Sequence, residues 1–364
     1  MGVHNTFNTR IEKVDYRLVK NDNIKKIKKL SPVKKAAVLL NQGEIVAFPT
    51  ETVYGLGANA TSSEAVKKIF KAKGRPQDNP LIVHIGNQRQ LKNLISGKIP
   101  PAAQKLIKAF WPGPLTLVFP KSEVISDKTT AGLDTVAVRM PSHPVARAII
   151  ELSNLTVAAP SANSSGFPSP TRAEHVYNDL NQKIPLIIDG GPCEVGVEST
   201  VVKLEGEIPV ILRPGGITGD QIFRVLGQKI KRKHKVKNKE TPASPGMKYR
   251  HYSPSTTLKI ISGKTEKILK NEIFKKQLKI AILLTEESAE IFKNTSVGQV
   301  QAEVVIKNMG SEKNMQEIAR NLFLILRELD KKGFDLILVE AVPETGLGEA
   351  IMNRLWKAAA DTKI

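Results

Sequence analysis

Cysteine is almost absent from this sequence of 364 residues, in which Cys193 stands alone. One thiol excludes an intramolecular disulfide, a Cys/His metal cluster and a CxxC redox pair, and it suits a reducing compartment. Long apolar runs are also missing. None approaches the roughly 18 residues that a membrane helix needs, and the polar segment Met1–Arg10 lacks the apolar core of a secretory signal. We therefore expect a cytoplasmic protein that makes no contact with a membrane.

The common nucleotide-binding and hydrolase motifs are lacking too. The sequence has no GxxxxGK[ST] loop and no GxGxxG after a strand. Ser161 does not lie in the GxSxG turn of a hydrolase, and no histidine is spaced to activate Cys193. Covalent catalysis is therefore not indicated, and a nucleotide site in this chain must be of another design.

Aromatic residues make up only 5% of a chain whose formal net charge is +20. Such a charge suits a polyanionic partner, but stacking on single-stranded bases needs aromatic side chains among the basic ones, and this sequence does not interleave them. Much of the charge lies in residues 25–29 and 229–239. These lysines are either solvated residues of a tail and a linker or a weak contact with tRNA, and composition does not decide between the two.

Apolar residues form 41% of the chain, which is enough for two domain cores. Strand-like runs alternate with helical stretches in the first two thirds, and this pattern predicts an α/β domain built on a large twisted sheet of mixed strand direction. The predicted strands are Glu44–Phe48, Leu81–Ile85, Leu115–Phe119, Thr135–Arg139, Thr156–Ala159, Leu186–Ile188, Ser199–Leu204 and Val210–Leu212. Thr171 with Glu174, and Thr218 with Gln221, each match a capping box that begins a helix.

The pattern changes after residue 228. Residues 229–257 combine a lysine run with a segment rich in proline, serine and glycine, which predicts a linker that cannot fold by itself. Residues 258–364 again alternate strands with helices and predict a smaller, Rossmann-like domain with a parallel sheet. The predicted organisation is therefore a first domain over residues 20–228, a linker, and a second domain.

Two cations follow the predicted helix Ser63–Ala72. Lys73 and Arg75 flank Gly74 and precede Pro76. A guanidinium fork beside a compact ammonium is the usual combination around a triphosphate. Cations near the end of a helix also complement its dipole. Both explanations are compatible with the spacing.

Polar groups follow or interrupt several other predicted strands. Ser161 and Asn163 lie in the loop after a buried strand, where ligands bind in open α/β sheets, although an ordinary polar turn has the same composition. Ser199 begins one predicted strand, and Arg213 directly follows another, where it could equally be a surface arginine. His84 lies within an apolar run, so it is either a core histidine or a ligand contact.

Taken together, these segments resemble the YrdC-type threonylcarbamoyl-AMP synthases, in the long form that carries an extra C-terminal domain. The resemblance rests on segments that occur in order: Pro49-Thr50-Glu51-Thr52 with Tyr54-Gly55-Leu56-Gly57, Lys73-Gly74-Arg75, Ser161-Ala162-Asn163, Val197-Glu198-Ser199-Thr200 and Arg213-Pro214-Gly215. It covers about residues 20 to 225. The segments Pro245–Pro254 and Gly346–Arg354 indicate the long form.

The resemblance implies a set of functional residues. Lys73 and Arg75 are expected to act in catalysis by neutralising phosphate charge. The expected ATP-binding residues are Lys73, Arg75, Asn79, Thr135, Ser161, Asn163, Ser169, Arg213, Tyr249 and His251. The expected threonine-binding residues are Thr52, His84, Arg139, Ala159 and Ser199. Arg139 is expected to pair with the substrate carboxylate, and the polar segment around Tyr249 to close over the nucleotide as a lid.

By the same resemblance, the enzyme condenses L-threonine, bicarbonate and ATP into threonylcarbamoyl-AMP and releases pyrophosphate. The product is expected to pass to a tRNA threonylcarbamoyl transferase complex that modifies the adenosine beside the anticodon. No protein metal cage is evident in the sequence, so Mg²⁺ is expected to be carried by the ATP phosphates. The sequence offers no obvious general base.

Two other functions are compatible with parts of the sequence. Another carbamoyl-transfer enzyme, such as a hydrogenase maturation protein, shares this type of domain, but one cysteine excludes the zinc fingers of those proteins. A double-stranded RNA or tRNA binding protein without turnover would use a basic cleft to hold phosphates. That function predicts a steep dependence of RNA affinity on salt and no threonine-dependent use of ATP.

Overall fold

The computed structural model describes residues 7–232, 251–261, 278–294 and 303–359. The chain divides into two compact units. The first unit is Met1–Ser165 with Ser169–Tyr249, and the second is Gly166–Pro168 with Arg250–Ile364. The predicted α/β class, with one large mixed sheet and one small parallel sheet, is confirmed.

The described part of the first unit contains an 11-stranded sheet in the order β1-β8-β2-β3-β7-β4-β6-β5-β9-β10-β11. Its strands are β1 (Arg10–Lys13), β2 (Val46–Phe48), β3 (Gly55–Asn59), β4 (Ile82–His84), β5 (Leu115–Pro120), β6 (Thr135–Arg139), β7 (Val157–Ala158), β8 (Leu186–Asp189), β9 (Thr200–Glu205), β10 (Ile208–Arg213) and β11 (Lys231–Arg232). β1 precedes the predicted domain start at residue 20, and β11 lies in the segment predicted as a linker.

Helices cover both faces of this sheet. They are α1 (Tyr16–Lys20), α2 (Ile24–Ile27), α3 (Ser31–Asn41), α4 (Ser63–Lys73), α5 (Leu91–Leu94), α6 (Pro101–Phe110), α7 (Asp127–Thr130), α8 (Pro144–Ser153), α9 (Ala173–Leu180) and α10 (Gly219–Leu226), with a short 3-10 turn at Gln88–Gln90. The side chains of β2 contribute to the cores on both faces of the sheet. Ala47 belongs to one buried cluster, whereas Val46 and Phe48 belong to another, because neighbouring side chains in a strand point to opposite faces.

The two predicted capping boxes had different outcomes. Thr218 caps α10 as expected: its side chain accepts from the Gln221 N–H, and the Gln221 side chain accepts in return from the Thr218 N–H. The box at Thr171 is wrong, because α9 begins at Ala173 and its cap residue, Arg172, makes no side-chain cap hydrogen bond. The Thr171 N–H donates instead to Nδ1 of His175 at 3.3 Å.

The second unit is built on a small parallel sheet in the order β12-β15-β13-β14. Its elements are β12 (Thr257–Ile261), β13 (Lys279–Leu284), α11 (Glu286–Asn294), β14 (Glu303–Asn308), α12 (Met315–Asp330), β15 (Leu336–Glu340) and α13 (Gly348–Ala358). Alternation of parallel strands with helices is the Rossmann-like pattern that the sequence predicted. Among the residues described in both units, no helix has the length and apolar character needed to cross a membrane.

Candidate active site

Arg139, at the end of β6, is the centre of a buried polar cluster in the first unit. Its side chain is only 4% exposed. Nη1 donates to the hydroxyl of Thr52 at 2.9 Å, and Nε donates to the carbonyl of Gly113 at 3.2 Å. Nη2 lies 2.7 Å from Oε1 of Glu51, whose side chain is 6% exposed. Two opposite charges are thus buried side by side next to a predicted threonine-binding hydroxyl.

A tight turn between β2 and β3 presents Glu51 and Thr52. The Thr50 hydroxyl donates to the carbonyl of Val53 at 2.6 Å and accepts from the N–H groups of Thr52 and Val53, each at 3.2 Å. Such side-chain bonds to nearby backbone are the reason threonine stabilises turns. The turn also links to the rest of the unit, because the Val195 N–H donates to the carbonyl of Glu51 at 2.8 Å.

His84 is aligned with Arg139, since β4 and β6 pair in parallel with these residues in register. Burial, and secondarily the charge of Arg139, lower the pKa of His84 to about 3. His84 is therefore a neutral hydrogen-bonding group at physiological pH. The sequence left open a core residue or a ligand contact. The structure shows His84 buried beside the Arg139 cluster, and its contact with threonine stays a prediction.

The protein should lose stability as the pH falls below about 6.5. Burial also lowers the pKa of His143 to about 4. Because both histidines have a folded-state pKa below the ordinary 6.5, the unfolded state binds more protons, so stability is complete above about pH 6.5 and is lost as pH falls towards 4 and 3. Each histidine should raise the unfolding constant about tenfold per pH unit within that window.

Urea unfolding between pH 7 and 5 measures this effect. His143→Asn is the matched variant, because asparagine can still accept the hydrogen bond that Nδ1 of His143 accepts from the Val145 N–H, but does not titrate. As pH falls, the unfolding constant of the variant should rise by about a factor of ten less per pH unit than that of the wild-type protein. An unchanged slope would contradict the assignment.

Ser199 and Arg213 form a second buried group. The hydroxyls of Thr116 and Ser199 lie 2.7 Å apart. Arg213 Nη2 donates to the Ser199 carbonyl at 2.9 Å and to its hydroxyl at 3.2 Å. The structure thus brings together one residue predicted for threonine and one predicted for ATP.

The backbone of residues 198–200 approaches position 215 so closely that glycine is required there. A Cβ atom at Gly215 would lie 2.3 Å from the carbonyl oxygen of Glu198 and 2.4 Å from the nitrogen of Thr200, both of them backbone atoms. Gly215→Ala should therefore destabilise the protein by about 1–3 kcal/mol, the usual cost of overpacking. Urea unfolding measures it, with Gly206→Asn as the control, because Gly206 has open space and a left-handed backbone that asparagine tolerates. Equal losses in the two variants would contradict the prediction.

Lys73, the last residue of α4, connects the helix to the loop after β7. Its ammonium donates to the carbonyls of Ser161 and Asn163, each at 2.5 Å, and the Ser165 N–H donates to the Lys73 carbonyl at 2.8 Å. The structure therefore brings together the predicted KxR and SxN segments, which lie about ninety residues apart in the chain.

Arg75 and Asn79 lie on the segment that leads from α4 to β4. Gly74, between Lys73 and Arg75, is left-handed with φ +61°, so the chain turns sharply there. Arg75 Nη2 donates to the carbonyl of Pro80 at 3.2 Å. Asn79 is 1% exposed, and neither polar atom of its side-chain amide has a hydrogen-bond partner among the described residues. A buried amide of this kind is available to a ligand.

The remaining predicted site residues have contacts of their own. The Ser169 hydroxyl donates to Oε1 of Glu198 at 2.5 Å, and both residues are buried. The Ala159 N–H donates to the carbonyl of Ile82 at 2.9 Å. Thr135 is at the first position of β6 and Arg139 at its last. Cys193 is buried, and this burial raises its thiol pKa, which agrees with its predicted lack of reactivity.

The structure describes one of the two residues that were predicted to form the lid. Tyr249 lies outside the described residues. His251 belongs to the second unit, is buried, and has its ring centroid 5.6 Å from that of Tyr252. The lid stays a prediction.

Glu51 is the residue that sequence reasoning missed. Glu51 belongs to the Pro49–Thr52 segment that carries the family resemblance, but the predicted site gave it no role. The sequence did contain a signal for it. A glutamate in a largely apolar stretch is a candidate for a buried ion pair, because glutamate is rarely buried unless it is paired. Its partner, Arg139, was named only for the substrate carboxylate.

The fold and the buried charged site define a two-domain α/β protein of the YrdC type. Residues 38–215 match the Sua5/YciO/YrdC family model described as "Telomere recombination", and residues 217–360 match the model described as "Threonylcarbamoyl-AMP synthase, C-terminal domain". The chain belongs to the family of threonylcarbamoyl-AMP synthases that contain both domains.

Relatives are similar along nearly the whole chain. A threonylcarbamoyl-AMP synthase of Bacillus subtilis is 50% identical over 330 residues, which cover 90% of this chain and 92% of that protein. One from Pyrococcus abyssi is 50% identical over 325 residues, or 89% and 93% of the two chains. The crystal structure of P. abyssi Sua5 complexed with L-threonine has a TM-score of 0.82 at 44% identity, and the match covers 98% of this chain and 99% of that one.

Proposed function

We propose that this protein condenses L-threonine, bicarbonate and ATP into threonylcarbamoyl-AMP and pyrophosphate. The observation that carries the proposal is the buried cluster of Arg139, Glu51 and Thr52, because it offers paired charges and a hydroxyl to a small, polar, doubly charged amino acid. The proposal is also supported by the threonylcarbamoyl-AMP synthases that are 50% identical over about 90% of the chain.

In the proposed reaction, Arg139 binds the threonine carboxylate, and the ammonium loses a proton so that the nitrogen can attack. Attack on carbon dioxide releases a second proton, and attack on bicarbonate releases water; either forms the carbamate. An oxygen of the resulting carbamate attacks the α-phosphorus of ATP, and pyrophosphate leaves. Because two anions approach each other, the cations Lys73 and Arg75 accelerate the step by neutralising charge and by positioning. Lys73 donates to the backbone carbonyls of Ser161 and Asn163 and would share its ammonium with a phosphate.

Asn79 supports an ATP site on the α4–β4 segment, since its buried amide lacks partners in the described part of the chain. We propose that Mg²⁺ arrives with ATP and is held by its phosphates and by water. Among the described residues, no group of three or more His, Cys, Asp or Glu side chains is placed to hold a metal ion. Magnesium would supply further charge neutralisation when bound.

The wider role is also a proposal. The product would pass to a tRNA threonylcarbamoyl transferase complex in the cytoplasm, and this protein would contact tRNA weakly. The formal net charge of +20 would favour such a contact, which should weaken steeply with salt.

The decisive test is mass-spectrometric detection of threonylcarbamoyl-AMP with pyrophosphate release, after the full chain is mixed with ATP, Mg²⁺, bicarbonate and L-threonine. Omission of each substrate in turn should abolish the product. ATP binding without any product would overturn the proposal, and tight, salt-sensitive tRNA binding in that case would favour the RNA-binding function.

A further inference from the structure

The buried pair of Glu51 and Arg139 has polar atoms that the described residues leave unsatisfied. Oε1 of Glu51 lies 2.7 Å from Nη2 of Arg139, but the two atoms are not aligned as a hydrogen bond. Within the described chain, neither carboxylate oxygen accepts a hydrogen bond, and Nη2 donates none. The pair therefore has unused acceptors on its negative side and an unused donor on its positive side.

Such an arrangement is costly without a ligand. A buried ion pair roughly breaks even only when further hydrogen bonds satisfy its remaining atoms. An amino-acid zwitterion supplies both missing partners, because its carboxylate accepts from the guanidinium and its ammonium donates to the carboxylate. It also adds no net charge, whereas a simple carboxylic acid would bring an uncompensated negative charge into the site.

Three titratable groups near the pair of Glu51 and Arg139 do not compete with Glu51 for the ammonium. Glu51 is close enough to His143 and Cys193 to raise the pKa of each. Burial nevertheless keeps His143 neutral above a pKa of about 4, and burial raises the pKa of Cys193, so its thiol stays protonated. His84 is likewise neutral at physiological pH. None of these three groups therefore carries a negative charge at physiological pH.

We propose that Glu51 binds the α-ammonium of the substrate while Arg139 binds its carboxylate, so that this pair selects an amino acid over the corresponding acid without nitrogen. The inference rests on the proposed function, since it takes threonine as the substrate, and it assigns a specificity-determining role to a residue that was given none from the sequence.

The test compares two ligands by calorimetry in the absence of ATP. L-Threonine and 3-hydroxybutanoate share the carboxylate and the hydroxyl, but only threonine carries the ammonium. The wild-type protein should prefer threonine about 10- to 100-fold, the scale of a hydrogen bond to a charged group. Glu51→Gln should lose this preference to within about threefold, because it removes the partner of the threonine ammonium and leaves the charge of Arg139 free to compensate the carboxylate of 3-hydroxybutanoate. Glu151→Gln, which removes a partly exposed glutamate paired with Lys28, is the control and should change neither affinity.

A purely structural role for Glu51 would give a different result. If Glu51 only held Arg139 in place, Glu51→Gln would weaken both ligands equally, because both use the carboxylate, and the inference would be overturned. A wild-type protein without any preference would also overturn it. Should Glu51→Gln fold poorly, Glu51→Asp keeps the charge and should retain part of the preference.

The outcome is separable from that of the proposed function. The preference for threonine can hold even if the wild-type protein makes no threonylcarbamoyl-AMP, in which case the reaction is wrong and the ammonium site stands. If product forms but Glu51→Gln keeps the full preference for threonine, the reaction stands and the ammonium site is wrong.

Discussion

Arg75→Ala should lower the rate of threonylcarbamoyl-AMP formation by roughly 10²- to 10³-fold, the usual loss when one preorganised charge-stabilising donor is removed. Arg75 is buried and directly follows Gly74, the left-handed residue that ends α4. Since its charge acts mainly as the phosphates rearrange, the loss should fall on turnover rather than on ATP affinity. Pyrophosphate release at saturating substrates measures the first, and calorimetry with ATP the second.

The matched control is Lys231→Ala, which removes an exposed cation of β11 and should leave turnover almost unchanged. Arg75→Lys is a second comparison. It keeps the charge but not the planar fork that donates to Pro80, so it should fall between the wild type and the alanine variant. Equal losses in the Arg75 and Lys231 variants would mean that the catalytic site is assigned to the wrong residues.

The sequence predicted those parts of the fold whose signal is local. β5 and β6 were expected at Leu115–Phe119 and Thr135–Arg139, and they are found at Leu115–Pro120 and Thr135–Arg139. Both are continuous apolar runs with β-branched residues, the pattern of strands buried on two faces. The family resemblance then placed the KxR and SxN segments together, and the contacts of Lys73 agree with that placement.

Strands that depend on distant partners were missed. β3 has the sequence Gly-Leu-Gly-Ala-Asn, which has little strand propensity, and it forms because β2 and β7 pair with it on either side. Gly57 is needed there, since a Cβ would lie 2.5 Å from the ring of Phe48. β1 is short and mostly exposed, and its partner β8 begins at Leu186. No local periodicity reports such a pairing.

The predicted site was incomplete for a related reason. The motif residues were assigned from polar groups at strand ends, and this method finds cations and hydroxyls that a phosphate would need. It does not find a glutamate whose partner is 88 positions later in the chain, because the pairing of Glu51 with Arg139 exists only in the folded structure. The charge balance of the proposed threonine site therefore had to come from the structure.

Arg139→Leu should destabilise the free protein by about 3–5 kcal/mol, because it leaves the carboxylate of Glu51 buried without its counter-ion. It should also abolish threonine binding, since the guanidinium is the expected partner of the substrate carboxylate. Arg147→Leu is the control. Its ion pair with Asp22 spans 3.9 Å and is partly exposed, so its loss should cost less than about 1 kcal/mol. Urea unfolding and calorimetry with threonine measure the two effects.

The double variant Glu51→Leu with Arg139→Leu separates stability from function. Two leucines of similar volume replace both charges, and such a replacement of a buried pair is often neutral or stabilising. The double variant should therefore regain most of the stability that Arg139→Leu loses, while threonine binding stays absent. Recovery of stability without binding would mean that the pair is kept for its ligand and not for the fold. If the double variant were as unstable as Arg139→Leu, the loss would come from Arg139's bonds to Thr52 and Gly113 rather than from an unpaired charge.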